Sequence, residues 1–170
     1  MPLHDPTDIL LAHDRWATHN LLNACAPLTH DQFHTRFDIG LASLHDTARH
    51  ILGAARGWTD MLNGDMRPGR TPRPRLETEG EKTVEQLIAL HAGVADEFEA
   101  AARAGSPEDP ITGERAGKSY TFPRAAILTH VTTHAMHHRA QCLNMLRRLG
   151  VEKLPPVSVM EWVLMVDAGA

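Results

Sequence analysis

A chain of 170 residues that is 42% hydrophobic is long enough to bury a core as one domain, expected over residues 1–170, without disulfide or metal staples. A formal charge of −4 excludes the basic signature of a nucleic-acid or anionic-membrane binder, so no nucleic acid and no membrane is expected as partner. With only 5% aromatic residues, the core is expected to be aliphatic, anchored by a few tryptophans.

Pro6 with Thr7 and Asp8 marks a helix start, and Ile9, Leu10, Trp16, Leu21, Leu22 and Cys25 keep mostly helical spacing until Pro27. Residues 28–40 read as a connection with a short helical turn near Asp31 to His34. A second long helix is predicted from Leu41 to Asn63, stopped by Gly64. The following GDMRPGRTPRPRLETEGEKT is polar and rich in Pro and Gly. It is expected to cross the surface outside the core, with the basic run Arg67 to Arg75 solvated and long enough to traverse a bundle. Thr83 caps a third helix with Val84, Leu87, Ile88, Val94 and Phe98 on its apolar face, fading near Gly105.

Proline and glycine break the helical period between Gly105 and Phe122, where a small extended or hairpin element fits. Pro123 suits the first turn of a fourth helix that runs to Gly150, and VSVMEWVLM reads as a short final helix or a strand. The expected fold is all-α: a four-helix bundle with a long crossing connection and a short C-terminal helix. Cys25 and Cys142 lie among apolar helical neighbours and suit reduced core thiols. No apolar run approaches the roughly 20 residues needed to cross a bilayer, and MPLHDPTD lacks a signal-peptide apolar stretch, so a cytoplasmic location is expected.

The chemistry concentrates in THVTTHAMHHRAQ, where His130, His134, His137 and His138 fall inside the fourth helical pattern. Histidines four apart share a helix face about one turn apart, within reach of a single divalent ion. On the helical wheel His138 lies in the stripe of Ile127, Val131, Ala135, Cys142, Met145 and Leu149, and His134 lies at its edge. His130 cannot join the pair, because three ligands over two turns span roughly 12 Å of axis. A third ligand must come from another element. The second helix offers His50, grouped with Ala54, Gly57 and Met61 beside the main apolar face, and His45, bordering a polar side with Arg49, Arg56 and Asn63. The wheel favours His50.

HILGAARGW, followed about 80 residues later by THAMHHRAQ, resembles the paired signature of the DinB/YfiT-like metalloprotein family, and LLAHDRWATHNLL resembles that family's first helix. The resemblance spans essentially the whole chain and implies a four-helix bundle that holds a divalent metal through His50, His134 and His138. Two positions depart from the family pattern. Ala55 stands where members often carry an acidic residue, which removes a carboxylate from that helix, and Ala140 stands for a glycine.

Three neutral histidines leave an open coordination position, as in sites that activate water or a thiol. Zn²⁺ or Ni²⁺ leads, with Fe, Co and Mn accommodated by the same donors. The resemblance implies a metal-dependent thiol S-transferase that takes a low-molecular-weight thiol as cosubstrate and presents its thiolate to an electrophile. Gln141 and His137 are the candidate groups behind the ligands. Arg139 is a candidate partner for a cosubstrate carboxylate, though an exposed helix arginine is the default, and Trp16 and Trp58 are core or groove-lining. A metal-dependent hydrolase, and a non-catalytic stress-associated binding protein or scaffold, are the alternatives. A homodimer is expected from family habit.

Overall fold

The computed structural model describes residues 5–168. The domain expected over 1–170 and the signal-peptide reading extend onto residues 1–4 and 169–170, which lie outside the described residues. Among these residues, six α-helices, one 3₁₀ turn and one hairpin follow in chain order: α1 (Pro6–Cys25), α2 (His30–His34), α3 (Leu44–Leu62), the 3₁₀ turn (Leu76–Thr78), α4 (Val84–Arg103), β1 (Pro110–Arg115), β2 (Lys118–Pro123), α5 (Arg124–Arg148) and α6 (Val159–Ala168). The fold is all-α with a small β-hairpin. No helix among the described residues is long and apolar enough to cross a membrane.

Local capping sets the helix starts. Asp5 accepts from the Thr7 backbone N–H at 2.7 Å, and Thr83 forms a reciprocal capping box with Gln86. α3 starts three residues later than the sequence predicts, because Ser43 caps it through the Asp46 N–H at 3.0 Å while Ala42 turns the chain at φ 72°. Pro123 is the residue before α5 and also ends β2. The hairpin is joined by Ala116 and Gly117 at φ 51° and 71°, the left-handed pair that a two-residue turn requires. The C-terminal apolar run is helical.

α3 packs against α4 and α5, and α1 against α5 and α4. Their apolar faces form two clusters. One gathers Leu21, Leu22, Leu44, Leu52, Leu87, Cys142 and Met145. The other gathers Leu11, Met61, Phe98, Ile127 and Val131, with Phe122 and Ile111 of the hairpin packed on it. Both cysteines are buried free thiols.

The crossing segment departs from expectation. It docks on α3 through Leu76, which is fully buried in the first cluster and contributes on the order of 2 kcal/mol. Arg49 and Arg56, expected on a polar side, are buried beneath the segment. Arg49 donates to the Leu76 carbonyl at 3.0 Å, and Arg56 donates to the Pro74 carbonyl and to Glu79 Oε1, the latter at 2.6 Å. Residues Leu76–Thr78 form one 3₁₀ turn in which the Leu76 carbonyl also accepts from the Glu79 N–H at 3.2 Å, and the guanidinium groups supply the further hydrogen bonds to the Leu76 and Pro74 carbonyls. Arg73, in the basic run expected to be solvated, bridges Asp60 and Glu97 at 2.7 Å each. His45 is likewise buried, packed on Phe33 and His34.

A polar layer crosses the bundle between α1, α4 and α5. Arg139, 3% exposed, donates to Asp14 and to Thr18 Oγ1. His13 contacts the Val157 carbonyl at 3.0 Å, pinning the chain ahead of α6, whose Trp162 lies against the His13 ring. His91 is buried opposite His19, and burial pulls its pKa down to about 4.

Two stability predictions follow from this layer. Asp14→Ala leaves the buried Arg139 guanidinium without its carboxylate, and denaturant unfolding is expected to show a loss of about 3 kcal/mol or more. His91 titrates near its ordinary 6.5 when unfolded but near 4 when folded, so the unfolded chain binds the extra proton between these values. Stability therefore falls as pH drops from 6.5 toward 4, by about 3 kcal/mol from this group. His91→Leu is expected to flatten that fall, and an unchanged slope would assign it elsewhere.

Candidate metal centre

His50 projects from the second turn of α3 toward α5, where His134 and His138 stand one turn apart. His50 Nε2 and His138 Nε2 each lie 3.2 Å from His134 Nε2. The three rings face one another with centroids 4.5–5.0 Å apart. His138 is buried, as its place in the apolar stripe implies, while His50 and His134 are half-buried and open the site to solvent. Among the described residues the group stops at three ligands.

Hydrogen bonding behind the rings decides what the convergence means. His50 Nδ1 donates to Glu77 Oε1 at 3.2 Å, and His138 Nδ1 donates to Gln141 Oε1 at 2.9 Å. With their protons on Nδ1, both rings present Nε2 lone pairs to His134 Nε2, which can donate a proton to only one of them. At least one of the two 3.2 Å nitrogen–nitrogen contacts is then repulsive, with no proton between the atoms. A divalent cation at their focus removes that repulsion, since metal–nitrogen bonds of about 2.0–2.1 Å at tetrahedral angles separate nitrogens by about 3.3 Å. The donor set fits a metal such as Zn²⁺.

Electrostatics favour the neutral, ligating form. Burial, and then the His138 and His50 imidazoles, pull His134 down to about 4. Burial also lowers His138, against the opposing effect of the hydrogen bond it donates to Gln141. The chain's own thiols are not available for chemistry: burial pushes Cys25 up to about 12 and raises Cys142 as well.

The supporting groups come from unexpected places. Glu77 lies on the crossing segment, next to Leu76, and supplies from outside α3 the carboxylate that Ala55 cannot. Gly53 makes room for it, since a Cβ there would sit 3.1 Å from Glu77 Oε2. Gln141 fits only because Gly40 has no side chain: a Cβ would fall 2.2 Å from its Oε1. Glu77 was legible only indirectly, as an acid beside the one leucine of a polar stretch.

The other candidates separate cleanly. Gln141 bridges His138 and His137, its Nε2 donating to His137 Nε2 at 2.9 Å, and His137 is exposed. Arg139 is not a cosubstrate contact or an exposed arginine: it is buried and bound to Asp14, because its side of α5 packs on α1. His45 is away from the group, and His130 flanks His134 with ring centroids 5.4 Å apart. Trp58 stacks edgewise on His130 and Phe122, and Phe122 lies parallel to the exposed Tyr120. An aromatic ledge thus runs from the centre to the hairpin, whose side chains the sequence did not connect to the site. Trp16 is half-buried against His13.

The family model for the DinB family matches residues 3–160. Among solved structures, a DinB-like protein from Bacillus cereus ATCC 10987 is 18% identical with a TM-score of 0.62, covering 86% of this chain and 92% of that one. A DinB-like protein from Bacillus subtilis is 15% identical with a TM-score of 0.60, covering 88% of this chain and 97% of that one. At these identities the likeness is one of fold. No curated protein matches.

Equilibrium dialysis of untagged protein against sub-stoichiometric Zn²⁺ tests the centre. His50→Ala, His134→Ala and His138→Ala are each expected to abolish tight binding, while His130→Ala leaves it intact. Glu77→Ala is expected to weaken it about 10- to 100-fold by releasing the His50 ring. Full retention of tight binding by the His50 variant would exclude this ligand set.

Proposed function

The chain belongs to the DinB family, and on that premise we propose that it is a metal-dependent thiol S-transferase. The observation that carries the reading is the convergence of three histidine nitrogens in a half-open group that, among the described residues, stops at three side chains. His50, His134 and His138 would hold the ion, Zn²⁺ or Ni²⁺ foremost. When bound, it supplies a Lewis acid that lowers the pKa of a low-molecular-weight thiol.

The chain's own groups do the rest. Glu77 and Gln141 hold the His50 and His138 rings in the tautomer that ligates. His137 and His130 are exposed imidazoles beside the triad, with ring separations of 5.2 Å to His138 and 5.4 Å to His134, and are the bases at hand for the proton the thiol gives up. The ledge of Trp58, Phe122 and Tyr120 offers an apolar surface for the electrophile. The thiol sulfur forms the new bond to the electrophilic carbon as the leaving group departs. Burial of both cysteines supports an external thiol over an enzyme nucleophile. A homodimer in the cytoplasm belongs to the same reading, supported by the apolar face of α6, where Met160 and Leu164 are each 67% exposed.

The test is conjugation of bacillithiol, mycothiol or glutathione to a chromogenic electrophile. Turnover is expected with one thiol, lost on metal removal, reduced at least about 100-fold in His134→Ala, and showing a raised KM for the electrophile in Trp58→Ala. A protein that binds metal but conjugates none of the three thiols would reject the transferase in favour of a hydrolase or a binding protein.

A further inference from the structure

A second convergence of ligands lies apart from the three-histidine centre. α2 carries His30 and His34 one turn apart, their rings stacked with centroids 4.3 Å apart. Glu81, from the run leading into α4, places its Oε1 2.9 Å from His30 Nε2 and 3.2 Å from His34 Nε2. The three ligand atoms lie within 4.8 Å of one another. The buried His45 ring packs on His34 with centroids 4.2 Å apart, and His45 Nε2 has no hydrogen-bond partner among the described residues although the residue is 4% exposed.

A doubly protonated His30 donates to both Glu81 and Asp31, and these carboxylates raise its pKa, but a neutral ring cannot serve both. If both Nε2 atoms donate to the one carboxylate oxygen, a neutral His30 is left with its Nδ1 lone pair toward the Asp31 carboxylate, 3.5 Å away. A cation between the two nitrogens and Glu81 reverses this: both Nε2 lone pairs point at positive charge, and His30 Nδ1–H points at Asp31. Separations near 3 Å between ligand atoms are those of a small coordination shell.

We propose that His30, His34 and Glu81 form a second divalent-metal site, independent of the three-histidine centre. Two imidazoles and one carboxylate select a transition ion such as Zn²⁺, Co²⁺ or Ni²⁺ over Ca²⁺ or Mg²⁺, which take oxygen shells. The site ties α2 to the lead-in of α4. Because His30 and Glu81 are exposed, it exchanges faster and binds more weakly than the partly buried triad.

Calorimetric titration of metal-free, untagged protein with Zn²⁺ decides the matter. Two classes of site are expected in the wild type, one ion per chain in each. His30→Ala and Glu81→Gln, both exposed positions that leave the core intact, are each expected to weaken the lower-affinity class at least tenfold and spare the tighter one. His134→Ala is expected to remove the tighter class and spare the weaker. A wild type that lacks the weaker class, or a weaker class indifferent to both His30→Ala and Glu81→Gln, overturns the second site. Loss of the tight class alone bears only on the triad.

Discussion

A polar group withdrawn from water has to find its partner inside the fold, and the placement of the crossing segment follows from that constraint. Residues 74–79 lie on α3 because Arg49 and Arg56 meet their carbonyls and Glu79, and because Leu76 fills the core between them. Without those guanidinium groups, the exposed backbone of an irregular segment would be better hydrated than docked. Docking carries Glu77, in a single 3₁₀ turn, to His50, so the packing of a mostly irregular segment sets the orientation of a ring in the metal centre.

The same constraint acts at the other ligands. His138 sits in an apolar stripe, where an unpartnered imidazole would cost on the order of 1–3 kcal/mol, and Gln141 on the next turn accepts its Nδ1 proton. Gln141 reaches that position because residue 40 is a glycine with positive φ. Opposite this face of α5, Arg139 closes on Asp14 and anchors α1. One helix therefore combines a half-open ligand face with a sealed ionic face, and the burial that lowers the His134 and His138 pKa values keeps the rings neutral for coordination.

Binding a cation through neutral imidazoles places its charge where only nitrogen lone pairs and one carboxylate behind them respond to it. In the proposed transferase reading, the open face takes the thiol and the aromatic approach takes the apolar electrophile. The buried cysteines remain spectators, since low-dielectric surroundings penalise their thiolates.

Helical periodicity, capping residues and glycine stops were enough to outline four long helices, because they report interactions within a turn or two of chain. The pairing of His134 with His138 was legible for the same reason: spacing along one helix is a local property. The approach of His50 was favoured by its place on the wheel, but the meeting of α3 with α5 belongs to packing. What local pattern left unread were contacts across tens of residues. Arg49, Arg56, Arg139 and His45 count as polar on a wheel, yet each is buried beside another segment that pairs or covers it. Glu77 and Glu81 lie in a stretch whose composition signals only solvent, and their approach to His50 and to His30 exists only once that stretch has folded back on the bundle. The order of residues along each helix was enough to assign its apolar face and its ligand-bearing turns. Which polar groups became partners was settled by packing, because that choice depends on distances that no local interaction controls.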